Sequence, residues 1–504
     1  MKILLTSQVK EADKLTIANE PVSSIRLMER ASLSFTRWFL KKFNSSNPVV
    51  VFAGSGNNGG DALAIARLLI ERQYTVRVYL IQTAENLSDD CAINLNRLRN
   101  CISPEMINPS DIQILPKIYH DDIIIDGIFG SGLNRPVEGG IAELIRYINN
   151  SPGKIVSVDI PSGLFGEDNR KNIPLNIIRA NYTVTFEFPF LSFFMSENEV
   201  YTGIWEVIPI GLHKESIDKL NSQYSTIDTL RIRGLLIPRK KYSHKGTYGH
   251  ALIIAGRQGM MGAAVLCARA CLRGGSGLTT VCIPDSCCDI IQGSVPEALT
   301  KSGGNGNVIS ELPDITPYQA IAFGPAVGTS AETEKTMFEL IRKSSAPLVL
   351  DADALTILSE HKEWLNRLTV GSVITPHPKE FDRLAGISED MYSRHMKQLE
   401  FASQYKLIVV LKGANTIITT PDGNSFINTT GNPGMATGGT GDVLTGLIVS
   451  LIAQGYTALD ASLIAVYLHG LAGDIFIKTS GMEALIASDL IDNIGEAFHQ
   501  IRKA

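Results

Sequence analysis

Short apolar runs recur along the chain, each followed by a polar or glycine-rich loop and a helical stretch, and this pattern restricts the possible folds most strongly. The runs lack polar alternation, so each is expected to be a β-strand buried on both faces. Buried strands that alternate with helices form a parallel sheet with helices on both sides. The sequence therefore predicts an α/β protein. The runs are residues 48–53, 75–81, 122–126, 154–159, 250–255, 278–283, 320–323, 348–351, 372–375 and 407–411.

The alternating pattern occurs twice, which indicates two domains with different α/β folds. The chain has 504 residues, of which 44% are hydrophobic and 19% charged, so large cores are possible and global disorder is excluded. A polar stretch at 213–233 interrupts the pattern. We predict a Rossmann-like three-layer α/β/α domain at 1–215, a linker at 216–235 and a second α/β domain at 236–504.

The charge and hydropathy of the chain argue against nucleic-acid and membrane partners. The net charge is −5, whereas a nucleic-acid-binding protein needs a basic face. No apolar run approaches the roughly 20 residues of a membrane span, and the sequence after Met1 turns polar too soon for a signal peptide. Seven cysteines without a C-x-x-C pair predict reduced thiols and no cysteine metal site. We expect a cytoplasmic enzyme.

The loop at 54–59 has the spacing G-x-G-x-x-G between a predicted strand and a helix predicted at 61–72. In dinucleotide-dependent dehydrogenases, an acidic residue at the end of the next strand accompanies such a loop. Here Glu85 follows that strand late, in a loop, so a hydride-transfer role is not favoured. Residues 57–61 (NNGGD) are too polar for a turn that serves packing alone.

Two further strands of the first domain end in aspartates, Asp126 and Asp159. A glycine-rich loop with an arginine, 127–136, follows the first, and Pro-Ser-Gly at 161–163 follows the second. Because the carboxyl ends of parallel strands meet at one edge of a sheet, these loops are expected to converge on a ligand. The pattern leaves open whether the two aspartates only cap their own turns.

Three segments of the first domain resemble the NAD(P)H-hydrate epimerase family, also known as the YjeF N-terminal domain. They are residues 51–63 (VFAGSGNNGGDAL), 126–136 and 158–164 (VDIPSGL). The family acts on NADHX and NADPHX, in which water has added to the dihydronicotinamide ring. The resemblance implies that this domain interconverts the R and S epimers at C6, the carbon that carries the hydroxyl group.

The resemblance also implies roles for individual residues. Asp159 would contact the substrate as the acid–base group, and a potassium ion would bind Asn58, Asp126 and Ser162, whose oxygen atoms suit a hard cation. Many family members carry a lysine near the position where this chain has Phe190 in an apolar run. The implied substrate contacts are Asn57, Asn58, Gly59, Gly60, Asp61, Gly130, Ser131, Gly132, Leu133, Asn134, Arg135, Pro136 and Asp159.

The strongest motif in the chain is the glycine-rich loop at 430–442, which runs into an apolar helix predicted at 442–453. Free N–H groups at a helix start bind anions, and the helix dipole favours negative charge there. The loop ends in Gly-Thr-Gly-Asp at 439–442, which resembles the anion hole and catalytic aspartate of ribokinase-like kinases. The sequence does not fit the P-loop pattern.

Other strands of the second domain also end in polar loops. Residues 412–416 could hold the phosphate and ribose of a nucleotide, and a further glycine-containing loop lies at 324–328. His377 follows another strand, where its role could be structural or functional. Asp351 and Asp353 follow a third strand. They could hold other residues of the site in place without contacting the ligand, but they are expected to serve in a turn.

Together with residues 244–249, these loops resemble the NAD(P)H-hydrate dehydratase family, the YjeF C-terminal domain, over 241–498. The resemblance implies a ribokinase-like fold that uses ADP to dehydrate the S epimer, leaving AMP and phosphate, with Mg²⁺ on the phosphates. Asp442 would take the proton of the hydroxyl that receives the phosphoryl group. Lys379 stands where the family usually has glycine. The implied hydrate contacts are Ala263, Gly328, His377 and Asp442, and the implied nucleotide contacts are Lys412, Gly413, Ala414, Asn415, Thr416 and Gly441.

The order and fusion of the two domains match the bifunctional repair enzymes of bacteria, in which the epimerase supplies the dehydratase with the S epimer. The resemblance implies a homo-oligomer, a tetramer or a multiple of it. Two alternatives stay open. A stable phosphorylated product would favour a small-molecule kinase with a non-catalytic N-terminal module. Epimerisation that survives substitution of Asp159 would favour an N-terminal domain that only binds a ligand.

Overall fold

The computed structural model describes residues 1–109 and 115–503. The chain divides into two compact units. One comprises Lys2–Ser222, and the other comprises Met1 with Gln223–Ala504.

The N-terminal unit is built on a parallel sheet. Strands β2 to β8 lie in the order β4-β3-β2-β5-β6-β7-β8, and each pair of neighbours is parallel. The strands of this unit are β1 (Lys2–Ile3), β2 (Val49–Ala53), β3 (Val76–Ile81), β4 (Glu105–Ile107), β5 (Ile123–Gly127), β6 (Lys154–Val158), β7 (Tyr182–Phe186) and β8 (Ile204–Ile208). Its helices are α1 (Thr6–Asn19), α2 (Ser24–Lys42), α3 (Asn57–Ile70), α4 (Asp89–Leu98), α5 (Gly139–Asn149), α6 (Glu199–Thr202) and α7 (Lys214–Lys219).

Both faces of this sheet are covered, as the continuous apolar runs predict. Val49 and Val51 of β2 pack in a core with residues of α2, α3 and α4. Val50 and Phe52 point to the other face and pack in a second core with residues of α5. Alternate residues of a strand face opposite sides, so a strand without polar positions needs a helix layer on each side. The unit is the predicted Rossmann-like three-layer fold.

The C-terminal unit is built on a larger mixed sheet. Its strands lie in the order β9-β18-β17-β16-β15-β14-β13-β10-β11-β12. They are β9 (Tyr224–Ile227), β10 (His250–Ile254), β11 (Leu278–Ile283), β12 (Leu299–Ser302), β13 (Ala320–Phe323), β14 (Leu348–Leu350), β15 (Val373–Ile374), β16 (Ile408–Leu411), β17 (Ile417–Thr419) and β18 (Ser425–Asn428). The helices are α8 (Thr229–Leu235), α9 (Gly262–Arg273), α10 (Cys288–Ser294), α11 (Ala331–Lys343), α12 (Asp353–Glu360), α13 (Pro378–Ala385), α14 (Met391–Tyr405), α15 (Thr440–Ala453), α16 (Ala458–Phe476) and α17 (Ala487–Lys503).

Seven neighbouring strands of this sheet are parallel, so their carboxyl ends share one edge of the sheet. Across the sheet they lie in the order β16-β15-β14-β13-β10-β11-β12. Antiparallel pairing begins at β17 and continues to β18. Residues of α9, α15, α16 and α17 pack on one face of the sheet and form the main core of the unit. This is the ribokinase-like α/β fold that the resemblance implies.

The stretch predicted as a linker, 216–235, contains regular structure, and the division between the two compact units falls within it, between Ser222 and Gln223. Within that stretch β9 pairs with β18 in parallel, and α8 buries Ile232 completely. Tyr224 and Thr226 are also buried. The stretch appeared unstructured in sequence because its strand is short and polar, and its pairing partner lies far away along the chain.

Helix α16 is the one helix of the described residues that is long and apolar enough to cross a membrane, judged by length and composition. Its most apolar window is 67% buried inside the folded unit. Such burial is typical of a core helix, which needs apolar residues all round because neighbours pack on every side.

Candidate active sites

The glycine-rich loop after β2 leads into α3 four residues earlier than predicted, so the polar residues from Asn57 onward form the first helical turn. A Cβ atom on Gly59 would lie 1.8 Å from the carbonyl oxygen of Gly54, whereas the space around Gly56 is open. Gly59 is therefore required for the close approach of helix and loop. The first N–H groups of a helix have no partner within the helix, and here they are available to an anion.

Asn58, Asp126 and Ser162, the residues expected to bind potassium, lie around the backbone of Phe129. Asn58 Nδ2 donates to the carbonyl oxygen of Phe129 at 2.8 Å. The N–H of Phe129 donates to Ser162 Oγ at 2.8 Å, and Ser162 Oγ donates to Asp126 Oδ1 at 2.5 Å. Residues from α3, β5 and the loop after β6 thus meet at one place.

Asp126 is fully buried and fixes the turn after β6. It accepts hydrogen bonds from the N–H of Ser162 at 2.9 Å and from Ser157 Oγ at 2.7 Å. Burial raises the pKa of Asp126, and the bonds from these serines partly offset that rise. The structural role considered for this aspartate is therefore present alongside any role in ligand binding.

Asp159 follows β6 in a left-handed backbone conformation, with φ of 65°. Non-glycine residues in this region are strained and often belong to functional sites. Asp159 Oδ1 accepts hydrogen bonds from Thr185 Oγ1 at 3.1 Å and from the N–H of Phe186 at 3.3 Å. Burial raises the pKa of Asp159 to about 6, although these two bonds lower it. A carboxyl that titrates near neutral pH can exchange protons with a substrate.

A cavity of about 710 Å³ opens at this edge of the N-terminal sheet. Its size suits a large ligand such as a nucleotide. The predicted substrate contacts in its wall are Asn57, Asn58, Asp61, Gly130, Ser131, Gly132, Leu133 and Asp159. The predicted contacts outside its wall are Gly59, Gly60, Asn134, Arg135 and Pro136.

Helix α1 supplies part of the wall, including Lys10 and Asp13, which the sequence analysis did not single out. Lys10 Nζ lies 3.6 Å from the position of a Cβ atom on Gly132. The cavity thus has a cation, although the lysine expected near Phe190 is missing and Phe190 itself is buried in an apolar core. The available signal was the pair of charges on one face of an amphipathic helix.

In the C-terminal unit, the glycine-rich loop turns into α15 at Gly439, whose φ of 90° is left-handed. The left-handed conformation is what requires glycine here, because the nearest atom to an added Cβ, Leu266 Cδ1 at 2.5 Å, is the end of a side chain that can shift. Thr440, Gly441 and Asp442 form the first turn of the helix. The predicted anion-binding helix start and its aspartate are thus next to each other.

Lys412 lies beside this helix start. Its Nζ donates to Asp351 Oδ1 at 2.8 Å, and Thr445 Oγ1 donates to Asp351 Oδ2 at 2.7 Å. Lys412 Nζ is also 3.4 Å from the position of a Cβ atom on Gly441. Burial disfavours the lysine cation, but the carboxylates of Asp351 and Glu380 outweigh this effect and raise the pKa of Lys412. Asp351 therefore holds a cation at the site and is more than a turn residue.

Asp442 has the environment of a proton acceptor. Burial raises its pKa to about 7, and the nearby Asp351 carboxylate contributes to the rise, whereas Lys412 lowers it. Near neutral pH this carboxyl is in part ionised and can take a proton from a substrate hydroxyl.

His377 has a structural role as the N-cap of α13. Its Nδ1 accepts hydrogen bonds from the N–H groups of Lys379 at 3.1 Å and Glu380 at 3.3 Å. Glu380 returns the contact by accepting from the N–H of His377 at 2.8 Å, which completes a capping box. The imidazole is 46% exposed, so it remains accessible to a ligand.

The other expected contacts of this unit lie on loops and helix starts. The N–H of Gly328 donates to Asp353 Oδ2 at 2.7 Å, so Asp353 fixes that loop. Ala263 lies in the first turn of α9. Gly413 and Ala414 are exposed, with Asn415 and Thr416 partly buried beside them.

Asp474 is a further residue that the sequence analysis missed. Its carboxylate accepts hydrogen bonds from the N–H of Gly431 at 2.9 Å and from Asn432 Nδ2 at 3.0 Å. It therefore anchors the start of the glycine-rich loop. The signal was an acidic residue near the end of the mainly apolar helix α16.

Comparisons with known proteins cover both units. A family model described as NAD(P)H-hydrate dehydratase matches residues 251–496, and one described as YjeF-related protein N-terminus matches 24–191. The chain is 34% identical to the bifunctional NAD(P)H-hydrate repair enzyme Nnr of Thermofilum pendens, over 100% of this chain and 97% of the relative. It is 32% identical to the enzyme of the same name from Moorella thermoacetica, over 98% and 96%.

Among solved structures, an ADP/ATP-dependent NAD(P)H-hydrate dehydratase from Bacillus subtilis, co-crystallised with ATP/Mg²⁺, matches 55% of this chain and 98% of its own. The sequence identity is 31% and the TM-score is 0.49.

The fold and the two sites are those of a two-domain enzyme, because each unit presents acidic side chains at the carboxyl edge of a parallel sheet, where a glycine-rich loop begins a helix. Similarity along the whole chain makes the class specific: the chain belongs to the family of bifunctional NAD(P)H-hydrate repair enzymes. A small-molecule kinase with an accessory module is not favoured, because these full-length relatives are repair enzymes.

Proposed function

We propose that the chain interconverts the R and S epimers of NADHX and NADPHX in its N-terminal unit. The C-terminal unit then dehydrates the S epimer to NAD(P)H with ADP as phosphoryl donor, and AMP and phosphate are released. The observation that carries this proposal is Asp442 in the first turn of α15, beside Lys412 and Gly441. A general base, a cation and free helix N–H groups are what phosphoryl transfer to a hydroxyl requires.

In the dehydratase site, different residues of the chain would accept the proton, stabilise the transferring group and position the cation. Asp442 takes the proton of the substrate hydroxyl, and the N–H groups at the start of α15 together with Lys412 offset the charge on the transferring group. The ring nitrogen of the phosphorylated hydrate can then expel phosphate, which is a far better leaving group than hydroxide. Asp351 and Thr445 hold Lys412 in place.

Magnesium would enter this site with the nucleotide phosphates, which are its usual ligands. Across residues 1–109 and 115–503, no cluster of three His, Cys, Asp or Glu side chains could hold a metal ion without such help. Ala263, Gly328, His377 and Asp442 would contact the hydrate. The nucleotide would contact Gly441 and residues 412–416.

In the epimerase site the substrate would occupy the cavity of about 710 Å³, with Asp159 at the hydroxyl-bearing carbon. Potassium would bind near Phe129, to the Ser162 hydroxyl, the Asp126 carboxylate and the side-chain oxygen of Asn58, whose Nδ2 donates to the Phe129 carbonyl oxygen. This set suits a hard monovalent cation, because it contains no nitrogen or sulfur ligand. The ion would orient anionic or polar groups of the substrate.

The test is recovery of the near-ultraviolet absorbance of reduced nicotinamide from mixed R- and S-NADHX, with ADP or ATP and potassium. We expect full recovery with ADP, no recovery for Asp442→Asn, and recovery of only the S fraction for Asp159→Asn. Asp460→Asn removes another first-turn carboxylate, from α16, and is the matched control. A stable phosphorylated product would contradict the proposal and support a kinase.

We also propose that domains 1–215 and 236–504 carry the two activities, and that the enzyme is cytoplasmic and works as a homo-oligomer, a tetramer or a multiple of it. Light scattering of the purified chain measures the number of subunits, and cell fractionation measures the location.

A further inference from the structure

Helix α1 forms a wall of the epimerase cavity through Val9, Lys10, Asp13 and Ile17. This spacing places the four residues on one side of the helix. The helix lies outside residues 24–191, which match the N-terminal family model.

Asp13 has no structural partner that explains its position. Among the described residues, 1–109 and 115–503, its carboxyl accepts no hydrogen bond, and only burial and the charge of Asp159 act on its titration. Both effects raise the pKa of Asp13, to about 7. An unpaired carboxyl in the wall of a cavity is costly for folding unless it serves the ligand.

The charged groups around Asp13 come from three elements. Asp159 follows β6, Asp61 lies on α3, and Lys10 precedes Asp13 on α1, and all of them line the same cavity. Burial and then the charges of Asp159 and Asp13 raise the pKa of Asp61 well above its usual value. Helix α1 thus presents one carboxyl to the cavity, Asp13, and the loop after β6 presents another, Asp159. Both can be protonated near neutral pH.

We propose that Asp13 is a second catalytic acid–base residue of the epimerase and acts with Asp159 on the hydroxyl-bearing carbon of the hydrate. This inference rests on the proposed epimerase function. In this route the hydroxyl leaves one face of the ring and water returns to the other, so one group donates a proton and another accepts one.

The chemical steps balance with these two groups. Protonated Asp13 gives its proton to the hydroxyl, the carbon–oxygen bond breaks, water leaves, and the ring nitrogen's electron pair forms a carbon–nitrogen double bond. Water then adds to the opposite face, the electron pair returns to nitrogen, and Asp159 accepts the proton. Between turnovers Asp159 releases its proton to solvent and Asp13 takes one up from solvent, and the reverse reaction exchanges the two roles.

The assignment of Asp13 as the donor follows from the hydrogen bonds at the two carboxyls. Asp159 Oδ1 accepts from Thr185 Oγ1 and from the N–H of Phe186, which favour its ionised form, whereas among the described residues no hydrogen bond favours ionisation of Asp13. Two carboxyls whose surroundings separate their pKa values can serve as acid and base in one site.

The test measures conversion of purified R-NADHX to the S epimer, followed by chiral chromatography, in the full-length chain. We expect Asp13→Asn to lower this rate about 100-fold, as loss of a general acid does. Dehydration of S-NADHX with ADP should be unchanged. Glu11→Gln removes an exposed carboxylate from the same helix and should leave both rates unchanged.

The pH profile separates catalysis from a structural role. The rate of the unaltered enzyme should fall above about pH 7, where Asp13 loses its proton, and Asp13→Asn should remove this alkaline limb. Asp13→Glu keeps a carboxyl and should restore part of the rate with the limb. A rate of Asp13→Asn within two-fold of the unaltered enzyme would overturn the proposal, as would an Asp13→Glu variant as inactive as Asp13→Asn. If the unaltered enzyme does not convert the R epimer, the epimerase function itself fails.

Discussion

Lys412 Nζ donates to Asp351 Oδ1 at 2.8 Å and so joins the ends of β16 and β14 at the start of α15. The Asp351 side chain is only 2% exposed. A nucleotide bound at Lys412 would therefore share this cation with a buried carboxylate. The pair fixes the place of the positive charge. It also adjusts the pKa of the neighbouring Asp442, which burial raises most, Asp351 raises further and Lys412 lowers.

Removal of Lys412 should destabilise the C-terminal unit. Lys412→Met leaves the buried Asp351 carboxylate without its cation, which we expect to lower the free energy of unfolding by about 3 kcal/mol. Urea unfolding measures this change. The double variant Asp351→Asn/Lys412→Met removes the unpaired charge as well and should recover part of the loss. Equal destabilisation in the single and double variants would show that the two side chains do not interact.

Dehydration should slow at acidic pH. Asp442 must be ionised to accept a proton, and its pKa is about 7, so the rate is expected to fall as the pH drops below that value. A pH series of NADH recovery from S-NADHX measures this fall in rate. Two variants serve as controls. Asp460→Asn is expected to show the same fall in rate at acidic pH, and Asp442→Asn is expected to show no measurable rate. A rate independent of pH between 5 and 8, roughly the range in which such a base titrates, would contradict the role of Asp442.

Thr185 should set the pH at which the epimerase loses activity. Its hydroxyl donates to Asp159 and lowers the pKa of that carboxyl, so Thr185→Val should raise the pKa and move the acidic limb above about pH 6. Thr183 donates instead to the carbonyl oxygen of Thr202. Thr183→Val is therefore a matched control on the same strand, and a shift of equal size in both variants would count against the hydrogen bond as the cause.

Loss of the Ser162 hydroxyl should weaken potassium activation. Ser162→Ala removes one of the proposed oxygen ligands and its hydrogen bond to Asp126, so we expect the potassium concentration for half-maximal epimerisation to rise about ten-fold. Ser157→Ala also removes a bond to Asp126 but lies outside the proposed ligand set. The assignment fails if potassium dependence is the same in Ser162→Ala and the unaltered enzyme.

The parts of the fold that could be predicted from sequence are those with strong local patterns. The continuous apolar strands β2, β5 and β6 and the helix that carries Asp442 lie within a few residues of their predicted bounds. Asn58, Asp126 and Ser162 are brought together as the parallel sheet requires, because each lies at or after the carboxyl end of a strand and these ends share one edge of the sheet. The family resemblance of both units rests on these same glycine-rich loops.

The remaining features depend on contacts between distant parts of the chain. Strand β9 is short and polar, and only its pairing with β18 makes it a strand. Asp351 has the sequence context of a turn residue, and only the tertiary structure brings Lys412 to it. Asp13 is one charged residue on a helix, and its place in the cavity with Asp159 follows from the packing of α1. Local sequence thus determined the strands, the glycine loops and the aspartates, whereas burial and charge proximity, which only the folded chain creates, decided which carboxyls titrate near neutral pH.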